Sequence, residues 1–305
     1  MRLSLDVLTV LDAIDRRGTF AAAAEELHRV PSSLSYLVQK LESELGVTVF
    51  DRSGHRARLT PTGTLLVEEG RRLLQAAATL ESRARRIETG WESELRIALD
   101  TVVPFERLLP LVKSFYAEHS HTQIRIGHEV LGGCWDALLS QRADLVVGAS
   151  GEPPSGSGLT SQLLEQLEVV FCVAPDHPLA QAAEPLSWQT IAPHRLVSLS
   201  DSSHRQPPRA IPSAGGQEVF GVATLTAQLE AQLAGLGCGH LPWQIAKPHV
   251  QAGRLIVKTL LEAQPPQHFH LGWRSHDEGP ALRWWLERLN RPDFIRAALL
   301  EPEME

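Results

Sequence analysis

HRVPSSLSYLVQKLESELG, His28 to Gly46, places Leu34, Val38, Leu41 and Leu45 at a 4-3-4 spacing that lines one side of a helix, with Gly46 as its C-cap. Ser32, Ser33, Ser35, Tyr36 and Gln39 are left on the other side. For this helix alone, such serines read better as merely capping and solvent-facing groups, because Ser favours helix starts. What surrounds the stretch decides what they touch.

Upstream, Val7, Val10, Leu11 and Ile14 form one apolar stripe that Arg16, Arg17 and Gly18 terminate. Thr19 is a good N-cap for a second helix of about eight residues, whose inner positions are Phe20, Ala23, Ala24 and Leu27. Two short helices joined by the turn His28 to Val30 suit a helix-turn-helix, the polar face of the second entering a major groove. Downstream, VTVFDRSGHRARLT (47–60) alternates on both sides of Ser53 and Gly54, as a β-hairpin does. Its Arg52, His55, Arg56 and Arg58, opposed only by Asp51, suit phosphates or a minor groove.

Thr60, Pro61, Thr62 and Gly63 start a helix that runs to about Glu88. Leu66, Gly70, Leu73, Ala77, Leu80, Ala84 and Ile87 alternate steps of four and three, a heptad seam with small residues at every other position. A helix of that length is marginal alone, so the seam is expected to pair with the same helix of another subunit; burial against the chain's own body is the alternative.

Winged helix-turn-helix, long pairing helix and larger C-terminal region, in that order, resemble the LysR-type transcriptional regulators of bacteria. The stretch GTFAAAAEELHRVPSSLSYLVQKLESELGVTVFDRSGHRARLTPTG (18–63) is similar to that family's signature, with its ELG-V-x-x-F-x-R run and closing LT-x-x-G. Within the family it is nearest to a subgroup carrying RVPSALSY. The commoner pattern has a serine cap and a glutamine where this chain has Val30 and Pro31, so Ser32 or Ser33 is expected to take over the capping from a proline-led start. Tyr36 stands where an arginine is frequent, replacing a bidentate guanine reader by a ring suited to a thymine methyl or a phosphate. The resemblance assigns Pro31, Ser32, Ser33, Ser35, Tyr36 and Gln39 to the major groove of double-stranded DNA, and Arg52 and Arg56 to the backbone or minor groove.

After Thr89 and Gly90, strand-like ELRIALD (94–100), QIRIGHEV (123–130) and ADLVVGAS (143–150) alternate with helical 104–118 and 132–142, an α/β pattern with a mostly parallel sheet. GEPPSGSG (151–158) reads as a crossover into a second α/β unit, with HFHLGWR (268–274) and a helix from Pro280 to Leu289 returning to the first. The expected division is a winged helix-turn-helix over 1–60, a linker helix over 61–89, and a two-lobed, periplasmic-binding-protein-like domain over 91–305. Lobe one takes 91–160 and 266–305, lobe two 161–265. Small ligands sit at the carboxyl ends of strands in such sheets. Strand-end residues Thr101, Val102, Ala149, Ser150, Asp201, Ser202 and Thr224 are therefore the expected effector contacts, with capping of the next helix as their alternative role. With no cluster of arginines among them, a neutral or aromatic effector is favoured over a polyanion. The family resemblance also implies a homodimer or homotetramer, with RNA polymerase a further candidate partner, and DHPLA (176–180) resembles its recurrent HPLA turn.

Composition agrees with a soluble globular chain: 43% hydrophobic and 21% charged residues leave too much apolar material for disorder, and no apolar run is long enough for a membrane span. Asp6, Asp12 and Asp15 interrupt what would be the core of an export signal, which points to the cytoplasm. The net charge of −7 falls on the C-terminal part, because residues 1–90 hold 13 basic against 12 acidic side chains. Cys134, Cys172 and Cys238 are far apart and lack metal or disulfide spacing, and read as core. Trp135 and Trp243 read as core too. His268 and His270 share a strand face without a third ligand, so no metal is expected. No nucleotide, cofactor or catalytic motif is present, so an enzyme is not expected. The rival reading is a cytoplasmic solute-binding or catalytic α/β protein whose N-terminal helices only oligomerise it.

Overall fold

The structure, a computed structural model, describes residues 3–51, 57–118, 122–209, 216–262, 264–276, 279–295 and 299. The chain divides into two compact units, Met1–Glu88 and Thr89–Glu305.

In the first unit, α1 (Leu5–Arg17) starts at Ser4, whose hydroxyl accepts from the Val7 N–H, and ends at Gly18 with φ 72°. There a side chain would clash with its own carbonyl, so glycine is the fitting residue. Thr19 caps α2 (Phe20–Glu26) in the same way through the Ala22 N–H. Then come α3 (Pro31–Leu45), the two-stranded wing of β1 (Phe50–Asp51) and β2 (Arg58–Leu59), and α4 (Pro61–Thr89). Val10, Leu11, Ile14, Ala23, Ala24, Leu34, Val38, Leu41, Phe50 and Val67 form one core. Ion pairs bind its rim: Arg16 joins Asp12 and Glu26, and Arg71 of α4 reaches Asp12 at 2.6 Å and Asp15 at 2.8 Å.

The start of α4 belongs to this core. The Thr60 hydroxyl accepts from the Gly63 N–H and donates to the Thr48 carbonyl. A Cβ at Gly63 would land on the Val49 carbonyl oxygen, and one at Gly70 would stand 2.8 Å from Leu8 Cδ2. So the small residue at 70 serves a helix of its own chain. Further along, Leu73 and Leu80 are 50% and 68% exposed, while the side chain of Ile87 lies outside the described residues. The heptad seam is thus split: its first turns are spent internally, while Leu73 and Leu80 further along are bare within this unit.

The second unit holds a five-stranded sheet in the order β4-β3-β5-β12-β6. Its strands are β3 (Glu94–Asp100), β4 (Gln123–Glu129), β5 (Leu145–Ser150), β6 (Leu159–Leu167) and β12 (Gln267–Arg274). β4, β3 and β5 are parallel, linked by α5 (Leu109–Glu118) and α6 (Gly133–Leu139), whereas β12 runs antiparallel to both its neighbours. β5 is buried along its whole length, as a central strand covered on both faces must be. Gly272 of β12 lets the fully buried Trp135 ring lie against the strand, where a Cβ would collide with it.

Smaller elements make the second lobe: β7 (Val169–Val173), α7 (Trp188–Ile191), β8 (Leu196–Leu199), β9 (Val219–Val222), α8 (Leu225–Leu233), β10 (Gly239–Pro242), α9 (Trp243–Gln251) and β11 (Ile256–Lys258). β10-β7-β11 is antiparallel, and β8 pairs parallel with β9. α10 (Pro280–Leu289) and α11 (Pro292–Ile295) close the chain. The expected crossover at 160 is corrected by seven residues: Leu159 to Leu167 form one strand along β12, its pairing interrupted only by a bulge at Leu164, so the chain leaves the first sheet at Glu168. The Gly/Pro/Ser run at 151–158 is only the loop before that edge strand.

Candidate functional sites

On α3, folding buries Leu34, Val38 and Leu41 and leaves the opposite side bare. Pro31, Ser32 and Gln39 are exposed, Ser33 and Ser35 half-buried, and Tyr36 is 64% exposed. Val30, just before the helix, is 62% exposed. Sequence spacing thus brings all six α3 candidates onto one accessible side. The expected takeover of the cap does not occur. Val30 is the N-cap residue without a side-chain cap, and the Ser33 hydroxyl instead donates to the Val30 carbonyl at 2.7 Å. Pro31 makes this tolerable, because its position needs no N–H acceptor. Arg52 and Arg56 lie outside the described residues; Arg58 on β2 is exposed.

The second unit contains a cavity of about 210 Å³ between its two lobes. Of the strand-end candidates, Thr101, Val102 and Ser150 line it, together with Asp100, Leu131, Leu199, Arg209, Leu225, Gln228, His240 and Phe269. Thr101 Oγ1 accepts from the Leu225 N–H at 2.9 Å, a direct bond from one lobe to the other. Gln228 donates to the carbonyls of Val197 and His240, which fixes its amide. Burial pushes the Asp100 carboxyl up to about 7, opposed by N–H groups of Val102 and Leu131, the Cys134 thiol and the charge of Arg209. Burial pushes His240 down to about 4, so it is neutral.

Four expected cleft contacts are elsewhere. Ala149 is fully buried beside Trp135 in the helix-packed core of lobe one. Thr224 spends its hydroxyl capping α8 through the Ala227 N–H. The Asp201 carboxylate accepts from the N–H groups of Gly132, Ser203 and Arg209, and Ser202 donates to Glu129 at 2.5 Å. These last two pin a loop instead of facing the cavity.

Sequence reasoning missed Asp100, Arg209, Gln228, His240 and Phe269. Two of them left a trace: Asp100 is a charge directly after the apolar run Ile97, Ala98 and Leu99, and Gln228 interrupts the inward stripe of α8. Arg209 and His240 left none, since only the fold brings them together. All three cysteines are free and buried, and burial pushes Cys134 well above the thiol range and Cys172 to about 12. Among the described residues no group of acidic, histidine or cysteine side chains could hold a metal, and no helix is long and apolar enough to cross a membrane.

Family models match both units: the bacterial regulatory helix-turn-helix protein of the lysR family over residues 5–64, and the LysR substrate binding domain over 88–291. The chain belongs to the LysR family. Among LysR relatives in Escherichia coli (strain K12), the uncharacterized HTH-type transcriptional regulator YeeY is 42% identical, covering 95% of this chain and 94% of its own. The probable HTH-type transcriptional regulator YhaJ is 40% identical, covering 94% and 96%. The fold is shared with the LysR regulator CbnR, solved at full length in complex with its target DNA: TM-score 0.57, 20% identity, 95% of this chain and 99% of that one. The chain is therefore a LysR-type helix-turn-helix transcriptional regulator with an effector-binding domain, and not an enzyme.

Proposed function

We propose that this LysR regulator reads its operator through the bare side of α3 and answers to a small molecule held between the lobes at 210 Å³. One observation carries the DNA reading: the three inward residues of α3 are fully packed while its hydroxyl, phenol and amide groups are free to meet base edges. Ser32, Ser35 and Gln39 supply hydrogen bonds to bases, and Ser33 shares this role after satisfying Val30. Val30, Pro31 and Tyr36 offer apolar surface suited to thymine methyls, in keeping with an RVPSxLSY subgroup distinct from arginine-reading relatives. Arg52 and Arg56 supply backbone or minor-groove charge.

The bare Leu65, Leu73 and Leu80 of α4 support pairing with a second copy, with a dimer of dimers as the preferred assembly. Effector binding shifts the subunit arrangement through unequal affinity for two states, which alters the spacing of the reading helices and contacts with RNA polymerase. Such a protein works in the cytoplasm, where the chromosome is.

A gel-shift on the chain's own upstream DNA tests the reading. Replacing Ser33 and Tyr36 with alanine is expected to abolish specific binding, each good base contact being worth about 1–3 kcal/mol, while leaving non-specific binding. Specific binding retained by the double variant overturns it. Arg56→Ala is expected to weaken all sequences alike and flatten the salt dependence by about one unit of slope.

A further inference from the structure

The loop after β8 is held with unusual thoroughness. Asp136, buried on α6, accepts from the N–H groups of His204, Arg205 and Gln206 at 3.1–3.2 Å. Asp201 ties Gly132 and Arg209 at 3.1 and 2.7 Å, and Ser202 ties Glu129. Three acidic side chains are thus committed to one strap, 201–209, that crosses from the second lobe to the first. Its last residue, Arg209, puts a guanidinium into the cleft, where Nη1 meets the Ser150 carbonyl at 2.6 Å.

Arg209 is the one arginine or lysine among the described residues that line the cavity. Its side-chain bonds go to neutral oxygens, the carbonyls of Ser150 and Glu152 and the Ser150 hydroxyl, and no carboxylate pairs with it among the described residues. The adjoining sequence AIPSAG (210–215) holds no acidic residue. A guanidinium has five N–H donors in a planar fork, so Arg209 keeps capacity for a further acceptor. Asp100, the carboxyl nearby, is placed differently: its oxygens already receive the Val102 and Leu131 N–H groups and the Cys134 thiol. Arg209 thus stands in the cleft with no carboxylate hydrogen-bonded to it among the described residues, its charge reaching Asp100 only through space. Around it Val102, Leu131, Leu199, Leu225 and Phe269 are apolar, and the volume lies below the roughly 300–1,000 Å³ of common ligand pockets.

Resting on the effector-cleft reading, we propose that the effector is a compact organic monocarboxylate with an apolar body, its carboxylate taken by Arg209 on the pre-positioned strap. A held guanidinium pairs with a carboxylate without first paying to order itself. Asp136 and Asp201 are then positioning residues for the anion, although neither lines the cavity.

Calorimetry and thermal shift on the full chain, with benzoate and hexanoate against benzamide and hexanamide, test this. The acids are expected to bind at least tenfold more tightly than their amides, and Arg209→Gln to erase that preference while changing amide affinity less than threefold. Arg209→Lys, which keeps the charge but not the fork, is expected to fall between. Equal affinity for acid and amide, acid binding indifferent to Arg209→Gln, or no binding by either acid overturns the proposal. Val169→Trp, at the cavity wall, separates the two readings. Acid binding lost there but untouched by Arg209→Gln overturns only the carboxylate assignment. Acid binding at full strength in both variants overturns the cleft itself. Melting midpoints of the unliganded variants, expected within a few degrees of the parent, show that each is folded.

Discussion

The proposed DNA-reading face and the proposed effector cleft are built by opposite means. The first comes from a single helix, so its six candidates span nine consecutive positions and one helical period sorts them from the core. The second is assembled from Asp100, Ser150, Arg209, Gln228, His240 and Phe269, which no period relates and only two crossovers bring together. A site carried by one element can be read along the chain; a site carried by loops and strand ends needs the fold first.

The largest expected effects test whether the two units are independent. Trp135→Ala removes a fully buried indole that donates to the Ser150 carbonyl at 3.1 Å and is expected to cost about 3–5 kcal/mol. Denaturant unfolding followed by circular dichroism should show that transition moving while DNA binding by the first unit survives. Leu34→Ala, at the fully buried side of α3, is expected to cost about 2–5 kcal/mol. Tyr36→Ala on the same helix should stay within about 0.5 kcal/mol yet lose specific binding. Similar destabilisation by both would show that the two sides of α3 are not as different as the comparison requires.

A smaller effect belongs to the cleft. The folded Asp100 carboxyl titrates at about 7, above its ordinary range near 4, so between those values the folded chain holds a proton that the unfolded chain releases. Its contribution to stability is therefore full below about pH 4 and declines as pH rises to about 7, at up to ~1.4 kcal/mol per pH unit. His240, held down to about 4, acts in the other sense: stability is lost as pH falls through the ordinary histidine range toward 4. Asp100→Asn should remove the first dependence alone, which a series of melts from pH 4 to 8 would reveal as improved stability at the alkaline end. The smallest change is expected from Arg71→Gln, about 1 kcal/mol or less, because its pairs with Asp12 and Asp15 are partly solvated.

Legibility followed the same division. The stripes of α1 and α3, their glycine stops, and α10 from Pro280 to Leu289 were readable because periodicity and caps are local. The lobe boundary is not legible in the sequence because loop composition at 151–158 carries no information on which sheet the next strand joins; pairing with β12, more than a hundred residues away, decides that. α9 was missed because Pro248 sits inside it, and β11 because three residues are too few for a period to show. Gly70 fitted the expected pattern for a reason that pattern could not supply, since the residue it accommodates is Leu8.

That contact has a mechanical corollary. With Thr60, Gly63, Val67 and Gly70 seated among the first helices, α4 and the wing move as a lever with its handle, without a swivel where they meet. Twenty-nine residues at about 1.5 Å each make an arm of roughly 43 Å, so a tilt of about 5° swings one end by roughly 4 Å. One base-pair step is about 3.4 Å. On the proposed reading of DNA through α3, a few degrees imposed at the far end of α4 correspond to a displacement of about one step along the bases.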